Sequence, residues 1–237
     1  MGDFYTRSWM KVTEGPYAGQ ALLTANGLQQ QATEFEKIGN YNPDFVAGIN
    51  NNFKYGRFTM NVSVDWRQGG QYYSYVAKGL IQAGLVESTL PGRDAAHGGL
   101  SWTDASNVKR DDGMLMPGVI KNADGSYRPN DVIIAADTYY DNKHWKYYEN
   151  ETYSATYVKL KEVSITYAFG KNVMRRLPFV SNLSFSLIGY NLYTWTAANI
   201  GYDPETTMSL SDARYQGVGH WTLPGTRSFG AKLSCNF

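Results

Sequence analysis

From Arg57 to Arg67 the chain alternates without a fault. Phe58, Met60, Val62, Val64 and Trp66 hold the even positions, and Arg57, Thr59, Asn61, Ser63, Asp65 and Arg67 the odd ones. A period of two is that of a β-strand with one apolar and one polar face. The length also matches the roughly 9–11 residues that a tilted strand needs to cross a bilayer core. The apolar side begins and ends on aromatic rings, Phe58 and Trp66, an arrangement that girdles at two membrane interfaces produce. The pattern returns from Thr226 to Phe237, with Arg227, Phe229, Ala231, Leu233, Cys235 and Phe237 set against Thr226, Ser228, Gly230, Lys232, Ser234 and Asn236.

Three further segments carry the same period. Over 44–53, Phe45, Ala47, Ile49 and Phe53 share a face, with Val46 and Asn51 as exceptions, and Lys54-Tyr55-Gly56 supplies a short hairpin turn. Over 152–169, Val163, Ile165, Tyr167 and Phe169 oppose Glu162, Ser164, Thr166 and Ala168. Val158 and Leu160 stand in the other phase, which predicts a β-bulge near Lys159–Glu162. Over 182–193 the alternation starts with Leu183, Phe185 and Leu187 and is lost beyond Ile188.

The connections alternate between short and long. Residues 54–56 and 170–181 join strands briefly, whereas 68–151 and 194–225 are long; outer-membrane barrels pair short periplasmic turns with longer extracellular loops. The spacing therefore predicts an all-β fold, a transmembrane antiparallel β-barrel of which this chain holds about the last five or six strands. A sixth strand is sought within Met1–Met10, where Phe4, Tyr5 and Trp9 cluster. Residues 1–43 read as an extracellular loop region with the end of a preceding strand, and residues 44–237 as the C-terminal strands with their loops. Five or six strands cannot close, since open edges would sit in lipid. The chain thus reads as part of a larger barrel, with Met1 an internal methionine and no signal peptide.

Composition changes the picture only by exclusion. The chain has 237 residues, a formal net charge of +1 and 15% aromatic residues, including 19 tyrosines and 6 tryptophans. Such a balance offers no basic footprint for nucleic acid. No apolar run approaches the length of a membrane helix, and the single cysteine, Cys235, cannot form an internal disulfide. A mean hydropathy of −0.43 looks soluble, but a barrel averages a polar lumen with an apolar outer face.

Particular strings resemble one family. Ile38–Phe45 (IGNYNPDF), Asn51-Asn52-Phe53 and Val64–Gly70 (VDWRQGG) are similar to the signature of SusC/RagA-type TonB-dependent transporters. Tyr157–Tyr167 (YVKLKEVSITY), Gly189–Thr196 (GYNLYTWT), Gly201–Glu205 (GYDPE) and, loosely, Pro224–Phe237 follow in that family's order. The resemblance implies a 22-stranded barrel in the outer membrane of a Gram-negative bacterium of the Bacteroidota type. It implies import of oligosaccharides or peptides, a plug and TonB box in sequence upstream of this chain, and a SusD-like lipoprotein over the loops. It implies no cofactor. The terminal strand, with Phe229 and Phe237, would be the signal read by the barrel assembly machinery, and outer-membrane lipid would cover the apolar faces.

Enzymatic chemistry finds little support. His97, His144 and His220 lack zinc-ligand spacing. Asp111-Asp112 reads as a solvated pair, Asn122–Gly125 as a turn, and Gly217-Val218-Gly219 lacks the context of a phosphate cradle. The expected working residues are therefore those of a conduit. Asn61, Ser63, Asp65, Glu162, Ser164 and Lys232 are assigned to the lumen. Trp102, Tyr139, Tyr140 and Trp145 are the loop candidates for ligand or lid contact, since aromatic faces suit sugar rings and protein interfaces. Two other readings stay open: a soluble β-sandwich binding module, whose apolar faces would meet in a core, and a passive porin.

Overall fold

The computed structural model describes residues 2–177, 179–206, 216–220 and 224–237; parts of the long segment 194–225, residues 207–215 and 221–223, lie outside the described residues. The fold is all-β. Its main sheet holds five antiparallel strands: β1 (Phe45–Tyr55), β2 (Phe58–Gln68), β3 (Tyr157–Ala168), β4 (Asn182–Thr196) and β5 (Ser228–Asn236). Spatial order follows chain order, so the sheet is a meander. Neither β1 nor β5 has a second partner among the described residues, and the sheet is open.

Register aligns the alternation of every strand. Tyr55, Phe58, Tyr167, Phe185 and Leu233 form one row across the apolar face, and Ala47, Trp66, Val158 and Trp195 form another. The rows between carry Ile49, Val64 and Leu160, then Phe53, Met60, Ile165 and Leu187. Rings meet at both ends, Phe58 with Tyr167 at 4.9 Å and Phe45 with Trp66 at 4.8 Å. Eight residues separate Phe58 from Trp66, about 26 Å along the strand.

The two faces invert the usual rule of burial. Leu187, Ile165 and Phe229 on the apolar face are 56%, 46% and 79% exposed, while Lys159, Ser164 and Ser186 on the polar face are 1%, 6% and 9% exposed. An apolar face left bare at this scale is a surface for a partner or a lipid, not the wall of a water-soluble core.

The bulge in β3 lies between Leu160 and Glu162. Leu160 pairs with Val64 and Glu162 with Ser63, so Lys161 is the extra residue. It shifts the phase of the strand by one, which reconciles outward Val158 and Leu160 with outward Val163 and Ile165. On the β4 side, Asn191 and Leu192 stand between the paired residues Tyr190 and Tyr193. Asn191 takes the left-handed conformation (φ +52°), which asparagine tolerates better than most side chains. Gly189 leaves room for Leu192, whose Cδ2 would stand 2.7 Å from a Cβ there. That fold-back is why alternation fails beyond Ile188. The first hairpin turns on Gly56-Arg57, one residue later than the sequence pattern places it, because Tyr55 pairs with Phe58 and Gly56 supplies φ +59°.

At the end of the sheet marked by Gln68 and Tyr157 the chain bends at Gly69 and Gly70 (φ +75° and +74°) into an upper layer. Gln71–Ser74 and Thr152–Ser154 continue as a ladder, joined in parallel by Val218–Gly219. Segment 152–169 is therefore two strands rather than one. Ser74 caps helix α1 (Tyr75–Gln82) by accepting from the Ala77 N–H at 3.1 Å. Residues 2–43 join the same layer: Asp3–Thr6 pairs with Glu36–Asn40, and Leu22–Leu23 lies parallel to Val119–Lys121. The hydrophobic core is here, built from Leu23, Met116, Ile120, Ile134 and Tyr139.

Candidate functional site

The polar face of the sheet is the part of the molecule where chemistry converges. Asn52 donates to Asn61 Oδ1, and Asn61 Nδ2 donates to Ser164 Oγ at 3.1 Å, a chain of side-chain hydrogen bonds across three strands. Thr166 and Ser186 share a further bond at 2.8 Å. Ser63 is the register partner of Glu162, and both border a shallow cavity of about 230 Å³ with Asn50 and Asn61. Lys232 stands on the same face, paired in register with Ser186. Of the six residues assigned to this face from sequence, Asn61 and Ser164 are thus in direct contact, while Lys232 stands two strands away from Ser164.

Charge concentrates at the upper end. Asp65 is the register partner of Lys159. The buried Lys159 ammonium donates to Asp203 Oδ2 and to Glu205 Oε2, and Lys161 donates to Glu205 Oε1 and lies 3.6 Å from Asp65. Burial pushes the Glu205 carboxyl up, but the hydrogen bonds from the two lysines outweigh it and hold the group below its ordinary range. The bulge makes this arrangement: Lys159, Lys161 and Glu162 all reach one face because the phase shifts between them.

A cavity of about 330 Å³ lies above the cluster, bordered by Tyr41, Arg67, Tyr72, Tyr157, Glu205 and Gly217. Gly217 (φ +77°) is needed twice over, for its left-handed backbone and because a Cβ would stand 2.6 Å from atoms of Phe4 and Tyr41. Arg67 Nη2 donates to the Tyr41 carbonyl oxygen. Arg67 Nε and the Tyr72 hydroxyl are buried without a hydrogen-bond partner among the described residues.

The four loop aromatics do not form one site. Trp102 Nε1 donates to Asp112 Oδ1 at 3.0 Å beneath the Arg110 guanidinium. Tyr139 is buried in the hydrophobic core, and its neighbour Tyr140 ties its hydroxyl to the Pro91 carbonyl at 3.0 Å. Trp145 packs on the buried Lys78 of α1, whose Nζ lies 4.1 Å from the Trp145 ring and 4.3 Å from that of Tyr148. Burial pushes the Lys78 amine down to about 8, with Glu151 and Asp141 pulling the other way. All four rings spend their faces or polar handles on the fold of the upper layer. Phe229 is exposed on the apolar face, and Phe237 follows the end of β5, also exposed.

The residues that sequence reading passed over are Lys159, Lys161, Asp203 and Glu205. Their signal was present but split: two lysines two apart, the second at the bulge itself, and two acids two apart in GYDPE. Nothing in the alternation links the two pairs. Among the described residues, no cluster of three or more His, Cys, Asp or Glu is arranged to hold a metal ion. No described helix is long and apolar enough to cross a membrane, which says nothing of strands.

The sequence matches no protein-family model and no curated protein. Its fold does match solved structures. The RagAB peptide importer in its open-open state aligns with a TM-score of 0.56 at 13% identity, over 99% of this chain and 22% of that chain. A structure of the RagAB peptide transporter gives 0.55 at 14% identity over 99% and 22%, and the importer in its closed-closed state 0.52 at 12% over 99% and 23%. The chain therefore spans little more than a fifth of the length of the chains it resembles, and what it shares with them is the fold.

Proposed function

We propose that this chain is a sector of a transmembrane β-barrel in a Gram-negative outer membrane, part of a SusC/RagA-type, TonB-dependent nutrient importer and not an enzyme. The observation that carries the reading is the inversion of burial across the five strands: bare apolar rows bounded by rings on one side, hydrogen-bonded amides, hydroxyls and charges on the other. Lipid suits the first face and a wet lumen the second. With a tilt of about 40°, the spacing from Phe58 to Trp66 corresponds to about 20 Å along the membrane normal, comparable to the roughly 25 Å apolar band of such barrels. The unpaired edges of β1 and β5 would be closed by further strands, since an edge in lipid is not tolerated. Asn61, Ser63, Asp65, Glu162, Ser164 and Lys232 would then line the lumen, facing the plug or the solute. The likeness in fold to peptide-importer structures supports solute uptake with a SusD-like lipoprotein above the upper layer, the solute being an oligosaccharide or peptide.

Site-directed labelling tests the assignment of faces. In the complete outer-membrane protein with Cys235 replaced by serine, a fluorophore at Ile165→Cys should be quenched by brominated lipid, and one at Ser164→Cys by aqueous iodide. Aqueous quenching at both positions, or a protein recovered in the soluble fraction, would overturn the reading.

A further inference from the structure

We propose that a separate cavity, between the upper end of β4, the turn 199–203 and the residues that lead into β5, is a subsite for one neutral sugar ring of the solute. The proposal rests on the transport reading, because the cavity lies on the face assigned to the lumen, and it narrows the solute to an oligosaccharide. The cavity holds about 260 Å³ and is bordered by Asn191, Thr194, Thr196, Asn199, Tyr202 and Arg227. Thr194 and Thr196 flank Trp195 of the apolar row, so the alternation of the strand turns both toward the polar face. Asn199 and Gly201 take positive φ (+46° and +77°), which lets the chain turn back, and Asp203 is then fixed to Lys159 of β3. Asn191, in the fold-back of β4, donates Nδ2 to the Thr226 carbonyl at 3.2 Å and keeps Oδ1 for another partner.

Among the described residues, no ion pair or hydrogen bond occupies the Thr194 and Thr196 hydroxyls, the Asn199 amide or the Arg227 guanidinium. The side chains that carry these groups are open to solvent: Asn199 and Arg227 are exposed, and Asn191, Thr194 and Thr196 are half-buried. The set mixes donors with acceptors, since hydroxyls and amides do both and a guanidinium only donates. A carboxylate would satisfy Arg227, but its oxygens bring no proton to Asn191 Oδ1 or to the Asn199 side-chain carbonyl. A sugar hydroxyl donates and accepts, and one ring carries several on adjacent carbons, so donors and acceptors are matched together. Asp203, also on the border, is engaged by Lys159, so an ammonium group meets no unpaired anion among the described residues. No Val, Leu, Ile or Met stands among the described border residues, so an apolar peptide side chain finds no wall, whereas Tyr202 and Pro224 offer carbon surface to the C–H face of a ring. A volume of about 260 Å³ falls just below the range of drug-sized pockets, which suits one ring of a longer solute.

Titration calorimetry on the complete barrel protein in detergent tests the proposal with a panel of neutral trisaccharides, maltotriose, cellotriose, xylotriose, mannotriose, galactotriose and chitotriose, beside tetra-alanine. At least one trisaccharide should bind. Thr196→Val and Asn199→Gly should each weaken that binding about threefold to tenfold, the worth of one neutral hydrogen bond, and Arg227→Gln about tenfold or more, the worth of one to a charged group. The first two spare the fold, because valine matches threonine in shape and glycine adopts the left-handed conformation freely. Asn107→Gly makes the same change at another left-handed asparagine (φ +62°), in a turn of the upper layer, and should leave binding intact. Binding of none of the trisaccharides, or binding that all three site variants leave unmoved, overturns the subsite. Tetra-alanine bound in their place, and lost in the same variants, overturns the sugar assignment. A protein that inserts in the outer membrane and fails here loses only the subsite; one that does not insert loses the transport reading.

Discussion

Lys159 shows how much one side chain can decide. It is a cation with 2% of its side chain exposed, shared between Asp203 and Glu205, whose side chains are 17% and 40% exposed. Removing one partner of a fully buried pair costs about 3–5 kcal/mol, but water reaches both carboxylates here, so Lys159→Met should cost about 2 kcal/mol. Lys161→Met should cost about 0–1 kcal/mol, because Lys161 is 28% exposed and Glu205 would keep Lys159. Because the native Glu205 carboxyl titrates below its ordinary value of 4.5, the cluster's contribution is fully present above that pH and is lost on further acidification. Urea midpoints of the two variants between pH 7 and pH 3 check both points. Equal midpoints would mean that Lys159 does not organise the cluster.

At the scale of the strand, register governs everything, because a slip of one residue carries every side chain to the opposite face. Inserting an alanine between Val163 and Ser164 would turn Ser164 and Thr166 toward lipid and should prevent insertion. Deleting Lys161 would remove the bulge and leave Leu160, Glu162 and Val163 in unbroken alternation, so the strand should still insert. The shift of a folded barrel on unheated gels distinguishes the two; insertion by both variants would refute the assignment. Period and bulge alike were legible in the sequence, since alternation is local and a bulge announces itself as a change of phase. The upper layer was not. Leu22–Leu23 and Val119–Lys121 are too short to show a period, and they pair across a long stretch of chain. For the same reason the Lys159–Asp203–Glu205 cluster could not be assembled from spacing, although each of its members sits in a recognisable string. Tyr139 and Trp145 read from the sequence as loop aromatics for ligand or lid contact, whereas the fold places one in the core and the other over Lys78.

For the molecule as a whole, the decisive fact is where the core lies. A soluble sandwich would bury the apolar face under a second sheet. Here the core formed by Leu23, Met116, Ile120 and Tyr139 belongs to the connections, and the apolar rows of the sheet face outward. The chain should consequently stay in solution only with detergent, and sedimentation should show it carrying bound detergent. A monodisperse protein without detergent would favour the soluble module instead. The described connections that fold around their own core also present a fixed surface, which would suit a layer that meets another protein as proposed above.

The open edges of β1 and β5 have a meaning in time as well as in space. Before any membrane receives it, such a sheet offers rows of unpaired amides beside a face of Ile49, Ile165, Leu187 and Phe229, the combination from which strands template aggregates. If the sheet is the barrel sector proposed above, the journey from ribosome to membrane is the hazardous part of its life. It would have to be escorted through water with its strands kept apart, and pairing postponed until lipid and neighbouring strands arrive together.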